Sequence, residues 1–248
     1  MNASDIAADG TVIARTLATP ALGLASAVER RRSLTALAVA TLATLAFAFA
    51  AVPRIDHERA AARDLDRGPK AAEMTPHDRE EAIATARKIG QVSGWAGAAT
   101  RPALFTLGAA VFLFAAFRVA GTRPGFRDTF AVAAHGLLPI WLAKVLAIPA
   151  VLARAPVQVD DVDRLLPSSA AAFLAPGAPA ALQGALGAVD LFALWAAALV
   201  AAGMARASGA SRRRSAAVVA VLYLSWIAVV RVALPALAAA GPGPKGGP

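Results

Sequence analysis

The stretch DLFALWAAALVAAGMARASGASRRRS, residues 190–215, contains the features that decide the fold. One acid, Asp190, begins an otherwise apolar run, and Trp195 follows within it. Small residues fill the rest of the run, which ends in a basic turn. This order is typical of a helix that crosses a bilayer, carries a polar group at membrane depth and is anchored by positive charge on one side.

The composition of the whole chain supports this interpretation. Of 248 residues, 58% are hydrophobic and 17% are charged, and the charges cluster so that long uncharged runs remain. A hydrocarbon core of about 30 Å takes roughly 20 helical residues to cross. The net charge of +9 comes from bases that flank apolar runs, which favours a membrane and argues against nucleic acid as a partner. The absence of cysteine excludes disulfides and thiolate-bound metals.

Five apolar runs predict an all-α membrane protein, a bundle of five transmembrane helices within a domain of residues 30–238. The predicted helices span about 34–52, 102–120, 129–152, 180–205 and 215–235, and the fourth begins at about residue 180 or at Val189. Pro139 and Pro149 predict kinks in the third helix. The first helix is expected to be retained, because about 30 residues precede it and a signal peptide has only a few.

The remaining segments are polar. Residues 1–29 are expected to form a cytosolic or interfacial arm, or alternatively a disordered terminus. The first outer loop, 53–94, holds eight acids and eight bases and includes a soluble helix that begins at Thr75, Pro76 and Asp78. Its charges predict a solvated face, with a partner-binding outer domain as the alternative.

The second outer loop and the C-terminal tail complete the chain. The loop, 154–178, is acidic and contains a candidate short helix at 168–174. Its three acids, Asp160, Asp161 and Asp163, lack the glycine and distal glutamate of a calcium loop, so a cation site is only a minor alternative. The tail, 239–248, is rich in glycine and proline and is expected to be disordered.

Positive charge predicts the orientation. With the N-terminus in the cytoplasm, the basic anchors all fall on the cytoplasmic side, and the C-terminus lies outside. These anchors are Arg30, Arg31, Arg32, Arg123, Arg127, Arg212, Arg213 and Arg214. The Ala-rich composition, with Arg far above Lys and no Cys, suggests a high-GC bacterial genome, so the expected location is the bacterial inner membrane.

Three charged residues are expected at similar depths in the outer half of the membrane: Asp190, Lys144 and Arg231. Because a charge there costs several kcal/mol unless it is paired or hydrated, we expect them to form a buried cluster. The alternatives are that the bases extend to the interface and that Asp190 simply begins a helix. His135 is nine residues from Lys144, on the opposite helix face, and is expected to be a packing residue.

No enzymatic motif stands out. The sequence contains neither His-Glu-x-x-His nor a phosphate-binding Walker loop, and its serines lack a nucleophile-elbow setting. We therefore expect no catalytic residue, no cofactor and no resident metal.

Several segments in order resemble the Yip-one (Ypt-interacting protein) domain family, in its bacterial branch. They are the segment from Pro20, TPHDREEAI at 75–83, GTRPGFRDTF at 121–130, HGLLPIWL at 135–142, VDLFALW at 189–195 and GMARASGASRRRSA at 203–216. The most distinctive is D-x-F-x-x-W, formed by Asp190, Phe192 and Trp195. The sequence has His135-Gly136 where Tyr-Ala is more usual.

The resemblance implies a five-helix bundle with a cytoplasmic N-terminus. Eukaryotic relatives act with small GTPases in vesicle traffic and in membrane shaping, a role that is not carried over to this chain. The sequence thus predicts a non-enzymatic membrane protein that organises the membrane or is a scaffold for other membrane proteins or its own copies. The alternative is a transporter or permease-associated subunit with a polar path through Asp190 and Lys144.

Overall fold

The computed structural model describes residues 33–66, 68, 73–154, 156–158, 162, 165–175 and 178–239, together with Thr11 and Ala14. The rest of the predicted N-terminal arm, Arg30 to Arg32, the three loop acids and the tail after Ala239 lie outside the described residues. The described parts are helical, with two isolated β-bridges and no named strand. The predicted all-α class is confirmed.

The described residues form ten α-helices. They are α1 Leu34–Ala51, α2 His57–Asp66, α3 Pro76–Val119, α4 Phe126–Gly136, α5 Leu138–Leu146, α6 Ile148–Ala153, α7 Ala180–Ala188, α8 Leu191–Ser208, α9 Arg212–Trp226 and α10 Leu234–Ala239. Short 3-10 turns occupy Val52–Arg54 and Ala170–Phe173, and a π-helical segment, Ile227–Ala233, joins α9 to α10.

Within the described residues, five helical units are long and apolar enough to cross a membrane, as predicted. We number them spans 1 to 5: Leu34–Arg54, Pro76–Val119, Phe126–Ala153, Leu191–Ser208 and Arg212–Leu237. Span 3 contributes to the centre of the bundle, where Ala131, Val132 and Ala133 are fully buried. Span 5 is the least covered, with only 6% of its most apolar window buried inside the protein.

Spans 3 and 4 approach each other most closely at two glycines. A Cβ on Gly136 would lie 2.7 Å from Cγ2 of Val200, and a Cβ on Gly203 would lie 2.6 Å from Cγ1 of Val132. Both distances are shorter than van der Waals contact, so these positions require glycine. Small residues at a helix crossing let backbones approach closely, which is how helices associate within lipid.

The predicted soluble helix and the second membrane helix form one continuous helix, α3. Thr75 caps it: its Oγ1 accepts from the Asp78 amide at 3.2 Å, as the sequence indicated. The predicted start of the second membrane helix at residue 102 therefore differs from the structure, because Pro102 lies buried inside α3 rather than in its first turn. The 44 residues of α3 extend over about 66 Å, roughly twice the hydrocarbon thickness.

The first outer segment contains a second helix that the sequence did not predict. Asp56 Oδ1 accepts from the Arg59 amide at 2.9 Å in the first turn of α2, and α2 then packs along the N-terminal half of α3. We call the pair formed by α2 and residues 76–94 the outer arm. The loop predicted at 53–94 is therefore mostly helical.

Span 3 and the predicted fourth helix are both interrupted in the structure. Span 3 breaks at Leu137 and at Ala147, each two residues before one of the predicted kink prolines, Pro139 and Pro149. The predicted fourth helix is two helices, α7 and α8, separated by Val189 and Asp190. The short helix predicted at 168–174 corresponds to the 3-10 turn there.

Two sets of hydrogen bonds identify the ends of the bundle. At one end, residues 54–56 pair with Val157, through Val157 N to Arg54 O at 2.9 Å and Asp56 N to Val157 O at 3.0 Å. At the other, the Arg214 guanidinium donates to Ala120 O, which joins the turn after span 2 to the turn before span 5. The two predicted outer loops thus meet, as do the two basic turns.

Candidate functional site

Asp190 is the N-cap of α8. Its Oδ1 accepts from the amides of Phe192 at 2.9 Å and Ala193 at 3.1 Å, which are otherwise unpaired donors of the first turn. The D-x-F-x-x-W motif therefore begins as a capping motif, in which Phe192 supplies one of the bonded amides and Trp195 lies half-buried one turn later. The structure thus shows the alternative in which Asp190 begins a helix.

The second outer loop is attached to this cap. The hydroxyl of Ser168 donates to Asp190 Oδ2, and Leu191 N donates to Ser168 O at 3.0 Å. Ala170 N donates to Val189 O at 2.9 Å beside an antiparallel bridge between Ser169 and Asp190. Because each oxygen of the carboxylate has its own donors, the charge at residue 190 is solvated by the protein itself.

Tyr223 and Arg231 of span 5 lie against the same break between α7 and α8. The Tyr223 hydroxyl donates to Ala188 O, two residues before Asp190. A Cβ on Gly187 would lie 3.3 Å from Nη2 of Arg231, which places the guanidinium against α7. Asp190 and Arg231, two members of the predicted cluster, therefore lie near the same break, and Tyr223 lies there as well.

The π-helical segment positions Arg231. A π-turn adds a residue to the helical repeat and shifts the side chains that follow it. Arg231 lies within this segment, its Cζ 6.0 Å from the Trp226 ring, and Trp226 stacks on Tyr223 with centroids 6.1 Å apart. Its Nε is buried and has no hydrogen-bond partner among the described residues.

Lys144, the third member of the predicted cluster, contacts a different helix. Its Nζ lies 5.3 Å from the centre of the Phe47 ring on α1, a cation–π contact. No ion pair joins Asp190 to Lys144 or Arg231 among these described side chains. The three-residue cluster stays a prediction, and the structure gives Asp190 a different set of direct partners.

Lys144 lines a cavity of about 520 Å³ between α1, α2 and α3. Three further titratable side chains line it: His57 and Asp64 from α2 and Arg101 from α3. Its apolar wall comes from span 1 and includes Phe47 and Ala48. A face of α3 with small residues, Gly90, Gly94 and Gly97 among them, makes room for this space.

An ion pair joins the two helices of the outer arm. Arg79 Nη1 lies 2.6 Å from Asp66 Oδ1, and this hydrogen bond holds the pKa of the exposed Asp66 carboxyl below its ordinary value of 3.8. Arg87 and Glu58 form a looser pair at 3.9 Å. Both pairs are exposed, so they orient the helices rather than provide most of the stability.

The basic anchors that the structure describes are exposed at the end of the bundle opposite the outer arm. Arg123 and Arg127 follow span 2, and Arg212 to Arg214 begin span 5 after Gly209, whose φ of 68° forms the turn. His135 is 2% exposed, with Nδ1 3.0 Å from Ala131 O, in agreement with a packing role. No cluster of metal-ligating side chains is present in the described parts of the chain.

Sequence reasoning missed three contributors to these sites. Ser168 lies 22 residues from its partner, and nothing in the local pattern indicates the contact. Tyr223 had a usable signal, because it is the single tyrosine of the chain and stands within an apolar run. Arg101 directly precedes Pro102. A helix that began at Pro102 would leave Arg101 in a loop, whereas in the structure Arg101 lies inside α3 and lines the cavity.

The comparisons with known proteins give a family. The family described as the Yip1 domain matches residues 14–234. That range contains the outer arm, spans 1 to 4 and almost all of span 5. No curated protein and no solved structure matches the chain.

Proposed function

Because the chain belongs to the Yip1 domain family, as its motifs indicated, we propose that this multi-pass membrane protein is a non-enzymatic scaffold of the bacterial inner membrane. Its partners are other membrane proteins or further copies of the same chain, and it organises the surrounding membrane through them. It uses no cofactor, resident metal or nucleic acid. The family is not known for enzymatic activity, which is consistent with this proposal.

The outer arm is the observation that carries the proposal. One helix runs from the polar arm into span 2 without interruption, so a partner bound to the arm would be held rigidly relative to the bundle. The arm also exposes large apolar side chains near the membrane: Ile89 is 63% exposed and Val92 is 67% exposed. Exposed apolar residues next to charged ones are typical of protein-binding surfaces.

We place the outer arm on the outer face of the membrane. The basic turns at the opposite end of the bundle favour the cytoplasm under the positive-inside rule. This orientation also gives a cytoplasmic N-terminus and an external C-terminus. The acidic second outer loop then shares the outer face with the arm, where it pairs with residues 54–56.

Co-purification in mild detergent tests the scaffold role. We expect the full-length chain to retain at least one partner protein in constant ratio, and the variant Ile89→Ser/Val92→Ser to lose it. The control is Glu81→Ser/Lys88→Ser, which changes two exposed polar residues of the same arm and should keep the partner. If the wild type elutes without any partner, or both double variants behave alike, the scaffold role is wrong.

One substitution distinguishes the transporter alternative from the scaffold role. Asn caps a helix about as well as Asp, so Asp190→Asn should stay folded while removing the charge. A polar path through Asp190 and Lys144 predicts loss of transport in this variant. The scaffold predicts unchanged partner retention.

A further inference from the structure

The cavity beside the outer arm is amphipathic. Its inner wall is the apolar surface of span 1 at Phe47, Ala48 and Ala51, and span 1 is long and apolar enough to cross the membrane. Its outer wall is formed by α2 and by the part of α3 that leaves the membrane. The space thus continues from the hydrocarbon region into the polar region, which suits a molecule with an apolar and a polar end.

The charged groups on its wall have both signs. Arg101 and Lys144 are bases on two different helices, and Asp64 is an acid on a third. Nε2 of His57 is buried and has no hydrogen-bond partner among the described residues, so it is available to a ligand. A ligand with separated negative and positive groups matches this wall better than a simple anion.

We propose that this cavity binds the headgroup of a phospholipid that carries both a phosphate and a primary ammonium, as phosphatidylethanolamine does. Arg101 and Lys144 bind the phosphate, because guanidinium and ammonium groups form charge-assisted hydrogen bonds with its oxygens. Asp64 binds the ammonium. The first acyl carbons lie against Phe47 and the neighbouring apolar residues of span 1.

Size and shape favour a lipid over free phosphate. A volume of about 520 Å³ is within the range of small-molecule sites, roughly 300–1,000 Å³, and is suited to a headgroup whose acyl chains continue into the bilayer. An inorganic anion would leave the apolar wall without contacts. It would also share the cavity with Asp64, which carries the same sign of charge. A lipid bridging α1, α2 and α3 would also hold the outer arm against span 1, which goes beyond the proposed scaffold role.

Native mass spectrometry of the full-length protein tests the site. The probes are phosphatidylethanolamine and phosphatidylglycerol with identical acyl chains, added to the delipidated protein in detergent. We expect phosphatidylethanolamine to be retained more strongly, and Lys144→Met to weaken retention of both lipids by roughly tenfold, the effect of losing one charge-assisted contact. Asp64→Asn should remove the preference for phosphatidylethanolamine and leave phosphatidylglycerol bound.

Matched controls make the result specific. Lys88→Met removes a lysine of the same type from the exposed face of α3, away from the cavity, and should bind as the wild type does. Lys144→Arg keeps the positive charge and should retain binding, which separates loss of the site from loss of folding.

The proposal is overturned if the wild type holds phosphatidylglycerol as strongly as phosphatidylethanolamine. Equal effects of Lys144→Met and Lys88→Met would also overturn it. Neither result depends on whether a partner protein co-purifies, so this test and that of the scaffold role are independent.

Discussion

Asp190 holds the first turn of α8 and accepts from Ser168, so its substitutions separate capping from charge. Replacing a capping Asp by Ala costs about 1 kcal/mol, and the lost Ser168 bond adds to that. We expect Asp190→Ala to lower the melting temperature in detergent, whereas Asp190→Asn should remain close to the wild type. Equal destabilisation by Ala and Asn would mean that the charge, and not the cap, is what stabilises the protein.

A double-mutant cycle tests the remaining prediction of a Lys144–Asp190 pair. Since Asp190 bonds with Ser168 and α8 amides, and Lys144 lies over Phe47, we expect the effects of Asp190→Ala and Lys144→Ala to add. Independent sites add within about 0.5 kcal/mol. If Lys144→Ala rescues the yield or stability of Asp190→Ala, the two charges are coupled and the predicted cluster is correct.

At single positions, the sequence was informative where the chemistry is local. The Thr75 cap, the breaks near Pro139 and Pro149 and the capping alternative for Asp190 all depend on neighbours within four residues. Contacts between distant residues were not predictable. The cavity depends on how three helices and Lys144 converge, which no local pattern encodes.

Among the elements, the outer arm is expected to respond to acid. The folded-state pKa of Asp66 is lowered by its hydrogen bond with Arg79, so the stabilisation is fully present above the ordinary value of 3.8 and is lost as the pH falls through the folded value. Hydrogen exchange of α2, corrected for intrinsic rates, should show less protection in Arg79→Gln than in wild type at about pH 7. This difference should vanish in strong acid and shrink at high salt; a difference independent of pH would contradict the ion-pair account.

The crossing of spans 3 and 4 is a sterically constrained contact between elements. Gly203→Ala places a methyl group against Val132 and is expected to destabilise the protein by roughly 1–3 kcal/mol. Gly108→Ala is the matched control, because nothing lies within 4 Å of its added Cβ, and it should be neutral or stabilise α3 by up to about 1 kcal/mol. Val132→Ala removes the clashing atoms, so the double variant should lose less stability than the sum of the single changes.

The elements themselves followed from hydropathy, since only apolar helices of sufficient length cross a bilayer. The continuity of α3 did not, because a change from polar to apolar residues near 94–102 also fits a loop followed by a helix that begins at Pro102. A single helix that passes from water into the membrane gives the same sequence pattern as a loop followed by a new helix. The π-helical segment packs against α7, and no local pattern in the sequence marks it.

For the whole molecule, we expect the rigid outer arm on one side of the membrane and the basic turns on the other. The chain contains no cysteine, so single-cysteine variants report position without background. Glu81→Cys marks the arm and Arg213→Cys marks the basic turns, and both positions are exposed. A membrane-impermeant maleimide on intact, outer-membrane-permeabilised cells should label Glu81→Cys at once and Arg213→Cys only after the inner membrane is opened. Labelling of both from the same side, or of Arg213→Cys alone in intact cells, would contradict the account.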